Sequence, residues 1–463
     1  MKAMVIANLL ALLALAGCTH TNRQLNSVNV ALEARTKNQT RASIRYLDGA
    51  SCGDRNRDGC FVGLAISGGG SRSAVFASAC MFELQRLGIL EKVDYISAVS
   101  GGSLPATYYC VNDEQWNPGN TQKLMSHSFA SDVALTLIQP WFYLAAVFSD
   151  YDRSDMLANS FKQTLFTRDG RELTFADLRD DRPRLLLNAT DLQSGRGFTF
   201  TDETFNEINS DLRNFPLAYA CAASSAVPVV LHQVTLRDYS TSWKQYRHLI
   251  DGGVNDNLGI ISLLQTYEHH MTVADRTDPY PRGAVFIVID ARTRFDAQLS
   301  NKGDIGLIES LATGAGLTST ALLNRVSSHT LSDIILRFSP DHITAKVMRD
   351  EALQLEKTGY LELTDRKERP VRVVHLALSR LSDIQDLPFQ SFSEKINSIA
   401  TYFNIEPLEA YNLTKAADLL VRYKFEPKLV EMREKIAGIS APSAPSTAPV
   451  RMGPPPDSQP APR

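Results

Sequence analysis

The chain has little excess of charge of either sign. Its 48 basic and 51 acidic residues leave a net −3, and no long run of one sign occurs. That argues against a nucleic-acid partner, which is usually met by a clustered basic face. Long apolar runs are also missing: residues 5–16 and 133–148, the most apolar stretches, fall short of the roughly 20 residues that cross a bilayer. No internal repeat is visible. Cysteines number six in 463 residues. What is present is ordinary globular composition, 44% apolar and 21% charged. The length suits two or three domains, or one large α/β unit with extensions.

Residues 1–17 read as an export signal. Lys2 supplies the positive end, and the apolar stretch after it is interrupted only by Asn8. The segment ends in Leu15-Ala16-Gly17-Cys18, which resembles the bacterial lipobox, whose cysteine is lipidated and becomes the new N-terminus. The resemblance implies Cys18 as a lipidation site and a membrane-anchored lipoprotein. Plain cleavage near Ala16 or Gly17 is the other reading. Thr19, not Asp, follows the cysteine, which in a Gram-negative host favours the outer membrane, facing the periplasm.

Residues 18–60 are polar and read as a tether with one short helix. Residues 440–463, rich in Ala-Pro and Pro-Pro, read as a disordered or polyproline tail. Export would allow Cys52 and Cys60, which flank a short polar loop, to pair. Cys80, Cys110 and Cys221 lie in apolar surroundings and are expected as buried thiols. The intervening Asp54-Arg55-Asn56-Arg57-Asp58-Gly59 opens like a calcium loop. Ala65 stands where the bidentate glutamate would be needed, however, and two arginines oppose a cation, so a hydrophilic turn is expected.

Order begins at Phe61. An apolar run to Ile66 predicts a strand that stops at Gly68-Gly69-Gly70. A helix follows with Phe76, Cys80, Leu84 and Leu87 at helical spacing and Gly88 as its stop. Tyr95 to Val99 predicts a second strand running into Ser100-Gly101-Gly102 and another helix. Further strands are expected at 184–188, 246–250, 284–290 and 371–378, and helices at 307–336 and 397–433. Strand–turn–helix repeated in this way points to a mainly parallel sheet in an α/β fold. The segment 133–148, with Trp141, Phe142, Tyr143 and Pro140, reads either as a buried helix pair or as a lid beside the site.

Three glycine clusters carry the chemistry. Ser100 follows an apolar strand, precedes two glycines and opens a helix, the setting of a nucleophile elbow; Ala98 stands at the first glycine of the G-x-S-x-G pattern. Ser97 falls within the strand and Ser103 within the helix. Gly68, Gly69 and Gly70 join a strand to a helix, so their amides could converge on an oxyanion, with Arg72 adding charge. A dinucleotide fingerprint is disfavoured by Ser73 at its third glycine. Asp251, before Gly252-Gly253, is a candidate general base if burial raises its pKa or Ser100 hydrogen-bonds to it. His248 lies three residues before Asp251, on the opposite strand face, so direct pairing is not expected. His232 reads as a surface or structural histidine.

These blocks, with Ala222-Ala223-Ser224-Ser225-Ala226-Val227-Pro228, resemble the patatin-like phospholipases over residues 61–295. The resemblance implies a three-layer α/β/α fold, with a largely helical extension over 296–439 packed on the core. It implies Ser100 as nucleophile, Asp251 as base without histidine, Gly68 to Gly70 as oxyanion donors supported by Arg72, and no metal or organic cofactor. The expected substrate is a phospholipid or other lipid ester at the membrane surface to which the anchor holds the chain. An acyltransferase using the same acyl-serine, or a non-catalytic binding module, are the alternatives.

Overall fold

The computed structural model describes residues 25–27, 54–137, 151–228, 230–273, 278–293, 326–327, 330–338, 345–384, 387–399 and 403–437. The export signal, Cys18, Cys52, residues 138–148 and the 440–463 tail lie outside them, and the expectations of lipidation, disulfide, lid and tail lie there too.

The first strand shows why the centre of the molecule is layered. β1 (Phe61–Ile66) is buried along its whole length. Val62, Leu64 and Ile66 enter one core, while Phe61 and Ala65 enter another on the opposite face. A strand covered on both faces needs a continuous apolar run, and β1 has one. The same holds for β2 (Tyr95–Val99) and β9 (Ala284–Asp290).

The remaining strands are β3 (Thr167–Arg168), β4 (Arg171–Glu172), β5 (Arg184–Asp191), β6 (Gly197–Thr199), β7 (Val234–Asp238), β8 (Gln245–Asp251), β10 (Tyr360–Thr364) and β11 (Pro370–Ala377). The sheet order is β10-β11-β9-β1-β2-β5-β8-β7, with β6 beside β5; β3 and β4 form a separate small hairpin. From β11 to β5 every pairing is parallel, and β10, β8, β7 and β6 pair antiparallel. One helical layer holds the Gly70–Arg86 and Ser103–Val111 helices, and the Ile260–Val273 helix lies on the other face. This is the expected α/β/α arrangement, with a mainly parallel sheet.

The C-terminal part departs from an appended helical unit. Its helices are present, and the Pro407–Leu419 helix packs on the Gly70–Arg86 helix. Yet β11 pairs with β9 from Val371↔Ala284 to Ala377↔Asp290, and β10 extends the sheet beyond it. A boundary at 295 therefore cuts through the sheet. The β11 run was visible in the sequence; its place beside β9 was not.

The Asp54 loop is the expected hydrophilic turn. The Asp54 carboxylate accepts the amides of Gly59 (2.7 Å) and Asp58 (3.2 Å), and the Arg55 amide donates to Asp94 at 2.8 Å. Cys80, Cys110 and Cys221 are the expected buried free thiols, and Cys60 is buried too.

Candidate active site

β1 and β2 are parallel neighbours, with Ile66 opposite Ala98, so the turns that follow them emerge at one edge of the sheet. At that edge Ser100 has φ 51°, a left-handed backbone that costs a non-glycine residue about 1 kcal/mol or more. The surroundings enforce it. The Ser100 amide donates to Ser224 Oγ (2.8 Å), Ser224 Oγ donates to the Asn188 carbonyl (2.6 Å), and Ser103 Oγ donates to the Ser100 carbonyl (2.5 Å). The neighbouring glycines are needed for close approach. A Cβ on Gly101 would stand 2.0 Å from the Gly70 carbonyl oxygen, and one on Gly252 would stand 2.2 Å from that of Asn188. Two of the glycine clusters thus meet at this edge, and the third packs against β5 beside them.

Asp251 arrives from the other side of β5. Val99 of β2 lies opposite Asn188, and Asp251, the last residue of β8, lies opposite Ala189. One intervening strand thus brings together residues 151 positions apart in sequence. The Ser100 side chain lies close enough to the Asp251 carboxyl to lower its pKa. Asp251 Oδ1 also accepts the Gly253 amide (2.7 Å), and Thr190 Oγ1 donates to the Asp251 carbonyl (2.9 Å). Burial pushes the Asp251 pKa up to about 6, and the Gly253 amide and the Ser100 hydroxyl pull it partly back. A buried carboxyl of that kind keeps its basicity near neutral pH.

The glycine loop supplies fewer donors than expected. Gly68 presses on the serine: a Cβ there would lie 3.3 Å from Ser100 Cβ and 2.5 Å from Asn257 Oδ1. Its amide donates to the Asn257 carbonyl at 3.0 Å and is not available to an oxyanion. Gly68 contributes space, while the amides of Gly69 and Gly70 take no acceptor among the described residues. These two open the 17-residue Gly70–Arg86 helix, whose N-terminus carries partial positive charge.

Arg72 also departs from expectation. It is buried, and its Nη1 donates to the Ile399 carbonyl at 2.8 Å, tying the glycine loop to the C-terminal region. Burial lowers its pKa to about 10, and Asp290 works in the opposite direction. That guanidinium is committed to a backbone oxygen 327 residues away, a partner that no local motif announces.

Neither histidine joins the site. His248 Nδ1 pairs with Thr235 Oγ1 at 3.0 Å, and the His232 carbonyl accepts the Ser154 hydroxyl. Ser97 and Ser103 are also occupied, Ser97 Oγ with Ser262 Oγ at 2.7 Å. The residues that the sequence did not mark are the supports: Ser224, Asn188 and Thr190. Ser224 lies within the Ala/Ser-rich block, which was the one available signal.

Residues 64–264 match the family model of the patatin-like phospholipases. The domain is patatin-like. The match supports hydrolysis of acyl lipids as its general class of activity. Among solved structures, human GIVD cytosolic phospholipase A2 aligns at TM-score 0.48 and 11% identity, covering 90% of this chain and 69% of that one. The same human protein in complex with methyl gamma-linolenyl fluorophosphonate and terbium chloride aligns at 0.44 and 12%, covering 89% and 66%. VipD from Legionella pneumophila aligns at 0.29 and 12%, covering 89% and 71%. No curated protein matches the sequence.

Proposed function

We propose that the patatin-like domain is a serine lipid acyl hydrolase with Ser100 as nucleophile and Asp251 as general base. The observation that carries this reading is the juxtaposition, across β5, of Ser100, held at φ 51°, and the buried Asp251 carboxyl, whose pKa is about 6. Asp251 takes the hydroxyl proton as Ser100 Oγ attacks the acyl carbonyl, and the carbonyl electron pair moves onto oxygen. The amides of Gly69 and Gly70 are the donors for that oxyanion, with the helix N-terminus behind them. Collapse expels the alcohol, which takes the proton back from Asp251. Water then gives a proton to Asp251 and attacks the acyl-serine, releasing the fatty acid and restoring Ser100.

The substrate class follows from position: a chain lipidated at Cys18 on the outer membrane would hold this site beside phospholipid acyl esters. None of the described helices is long and apolar enough to cross a membrane. Any attachment through the described part is therefore not by a spanning helix.

The test is labelling of the full chain with a fluorophosphonate probe in the presence of a membrane mimic. Wild type labels, Ser100→Ala does not, and Asp251→Asn labels slowly. A folded wild type that stays unlabelled overturns the hydrolase reading. Product analysis with competing alcohol acceptors then separates hydrolysis from acyl transfer.

A further inference from the structure

β7 and β8 form a hairpin whose tip has no counterpart in the rest of the sheet. β8 pairs with β5 only from Leu249 to Asp251, and Asp191 is the last residue of β5. Residues 245–248 and the connecting turn 239–244 consequently run past the end of β5, beyond the edge where Ser100 and the glycine loop emerge. That projection carries large apolar side chains in water. Trp243 is 76% exposed, Tyr246 38%, and Leu192, which follows β5 and donates its amide to the His248 carbonyl at 2.8 Å, is 52% exposed. Lys244 sits next to the tryptophan with no ion pair among the described residues, while Arg247 is shared between Asp191 (3.1 Å) and Asp238 (3.6 Å). Within the turn Thr241 Oγ1 donates to the Trp243 carbonyl at 2.9 Å. Tryptophan and tyrosine beside lysine is the composition that settles at the boundary between headgroups and acyl chains, most readily on an anionic surface.

A second observation selects the occupant. Asn26 lies along the outer edge of β7: its Nδ2 donates to the Arg237 carbonyl (2.8 Å), its Oδ1 accepts the Arg237 amide (2.8 Å), and Tyr239 Oη donates to its carbonyl (2.8 Å). The N-terminal segment is thereby fastened to this same hairpin. Cys18 is eight residues before Asn26, so a lipid on Cys18 lies at most about 28 Å of extended chain from it.

We infer that the tip of the β7–β8 hairpin, through Trp243, Lys244 and Tyr246, is a docking element that inserts into an anionic lipid surface. It seats the active-site edge of the sheet toward that surface. The inference rests on the proposed lipid-directed site and anchor for its biological sense, but its test stands apart from them.

The full chain is mixed with vesicles of phosphatidylethanolamine and phosphatidylglycerol carrying shallow brominated acyl chains, and tryptophan emission is followed. Wild type loses part of its emission to the bromines, and Trp243→Ser loses none of that component. In the full chain carrying Cys18→Ser, vesicle affinity falls about tenfold or more on adding Trp243→Ser, because interfacial burial of an indole is lost. Lys244→Glu weakens it more on anionic than on neutral vesicles, and Trp243→Tyr retains most of it. A Trp243 component untouched by the bromines overturns the proposal. So does an emission shift that follows protein concentration without vesicles, which would make the tip a contact between copies. Turnover of a soluble short-chain ester is unchanged in Trp243→Ser, whereas turnover of vesicle lipid falls. Absence of ester turnover in wild type counts against the hydrolase reading alone, since quenching decides the docking.

Discussion

Asp251 and Asp290 end two strands of one sheet, both buried, and their chemistry diverges completely. Asp251 closes β8 with only the Gly253 amide and the Ser100 hydroxyl for company, so burial dominates and its pKa rises to about 6. Asp290 closes β9 and is buried as deeply, yet Arg292 and His375, the latter at 2.9 Å through Nε2, hold it far below the usual carboxylate range. Desolvation acts on both; a counter-charge decides the outcome. A carboxylate held by arginine is too weakly basic to take a serine proton, whereas one left with dipoles alone remains a base. The same contrast fixes their effects on stability. Asp251 costs the fold its charge at neutral pH, and Asp290 contributes through its ion pair.

The largest break in this comparison is Asp251→Asn. Turnover should fall about a thousandfold or more, as general-base loss in a coupled pair does. In wild type the pH profile of kcat/KM should rise through about 6, because only the carboxylate accepts the proton; in the variant that limb should vanish. Stability should move the other way. A carboxyl whose folded pKa lies above its unfolded value favours folding while protonated, and the advantage is lost as pH rises from about 4 to about 6. Asp251→Asn should therefore gain up to about 3 kcal/mol at pH 7 and nothing at pH 3.5, read by thermal unfolding at both.

Asp290→Asn should reverse that pattern. It should lose about 2–3 kcal/mol at pH 7, since it leaves Arg292 without its carboxylate, while the pH-rate limb near 6 stays where it is. The loss should shrink only in strong acid, because a depressed pKa contributes stability above the unfolded value and surrenders it as pH falls through the folded one. If Asp290→Asn moves the limb, the two aspartates are not the separate systems that their partners make them.

Asp251 was legible in the sequence because a turn signal, Asp-Gly-Gly, coincided with an elbow serine elsewhere. Asp290 was only the last letter of an apolar strand. The strands buried on both faces, β1, β2 and β9, announce themselves by composition. The short β7 and β6, and the antiparallel β10 that pairs with β11, do not. What no local pattern encodes is a hydrogen bond to a distant backbone atom. The Gly68 amide meeting Asn257, Arg72 meeting Ile399, and Ser224 spanning Ser100 and Asn188 all have this form. Glycine clusters reveal that backbones approach closely; they leave open which amides are used up by the approach.

Ser224→Ala probes that hidden layer with a smaller effect. It strands the buried Ser100 amide and the Asn188 carbonyl at about 1–3 kcal/mol of stability, and loosening of the strained elbow should lower kcat about tenfold. No charge changes, so the limb near pH 6 should hold its position in the remaining activity.

The smallest effect, and the most diagnostic of a rival, belongs to His248→Gln. The residue is close to Asp251 in sequence, and a serine–histidine–aspartate arrangement would need it. Its Nδ1 instead engages Thr235 across β7, and its ring stands near Tyr246 at 6.4 Å, on the solvent-facing side of the hairpin. Glutamine keeps a polar partner for Thr235, so turnover should stay within about twofold and stability within about 0.5 kcal/mol. A loss approaching that of Asp251→Asn, with the pH limb abolished, would transfer the base to the histidine. Asp251 would then be left as its orienting carboxylate, and its contrast with Asp290 would lose its catalytic meaning.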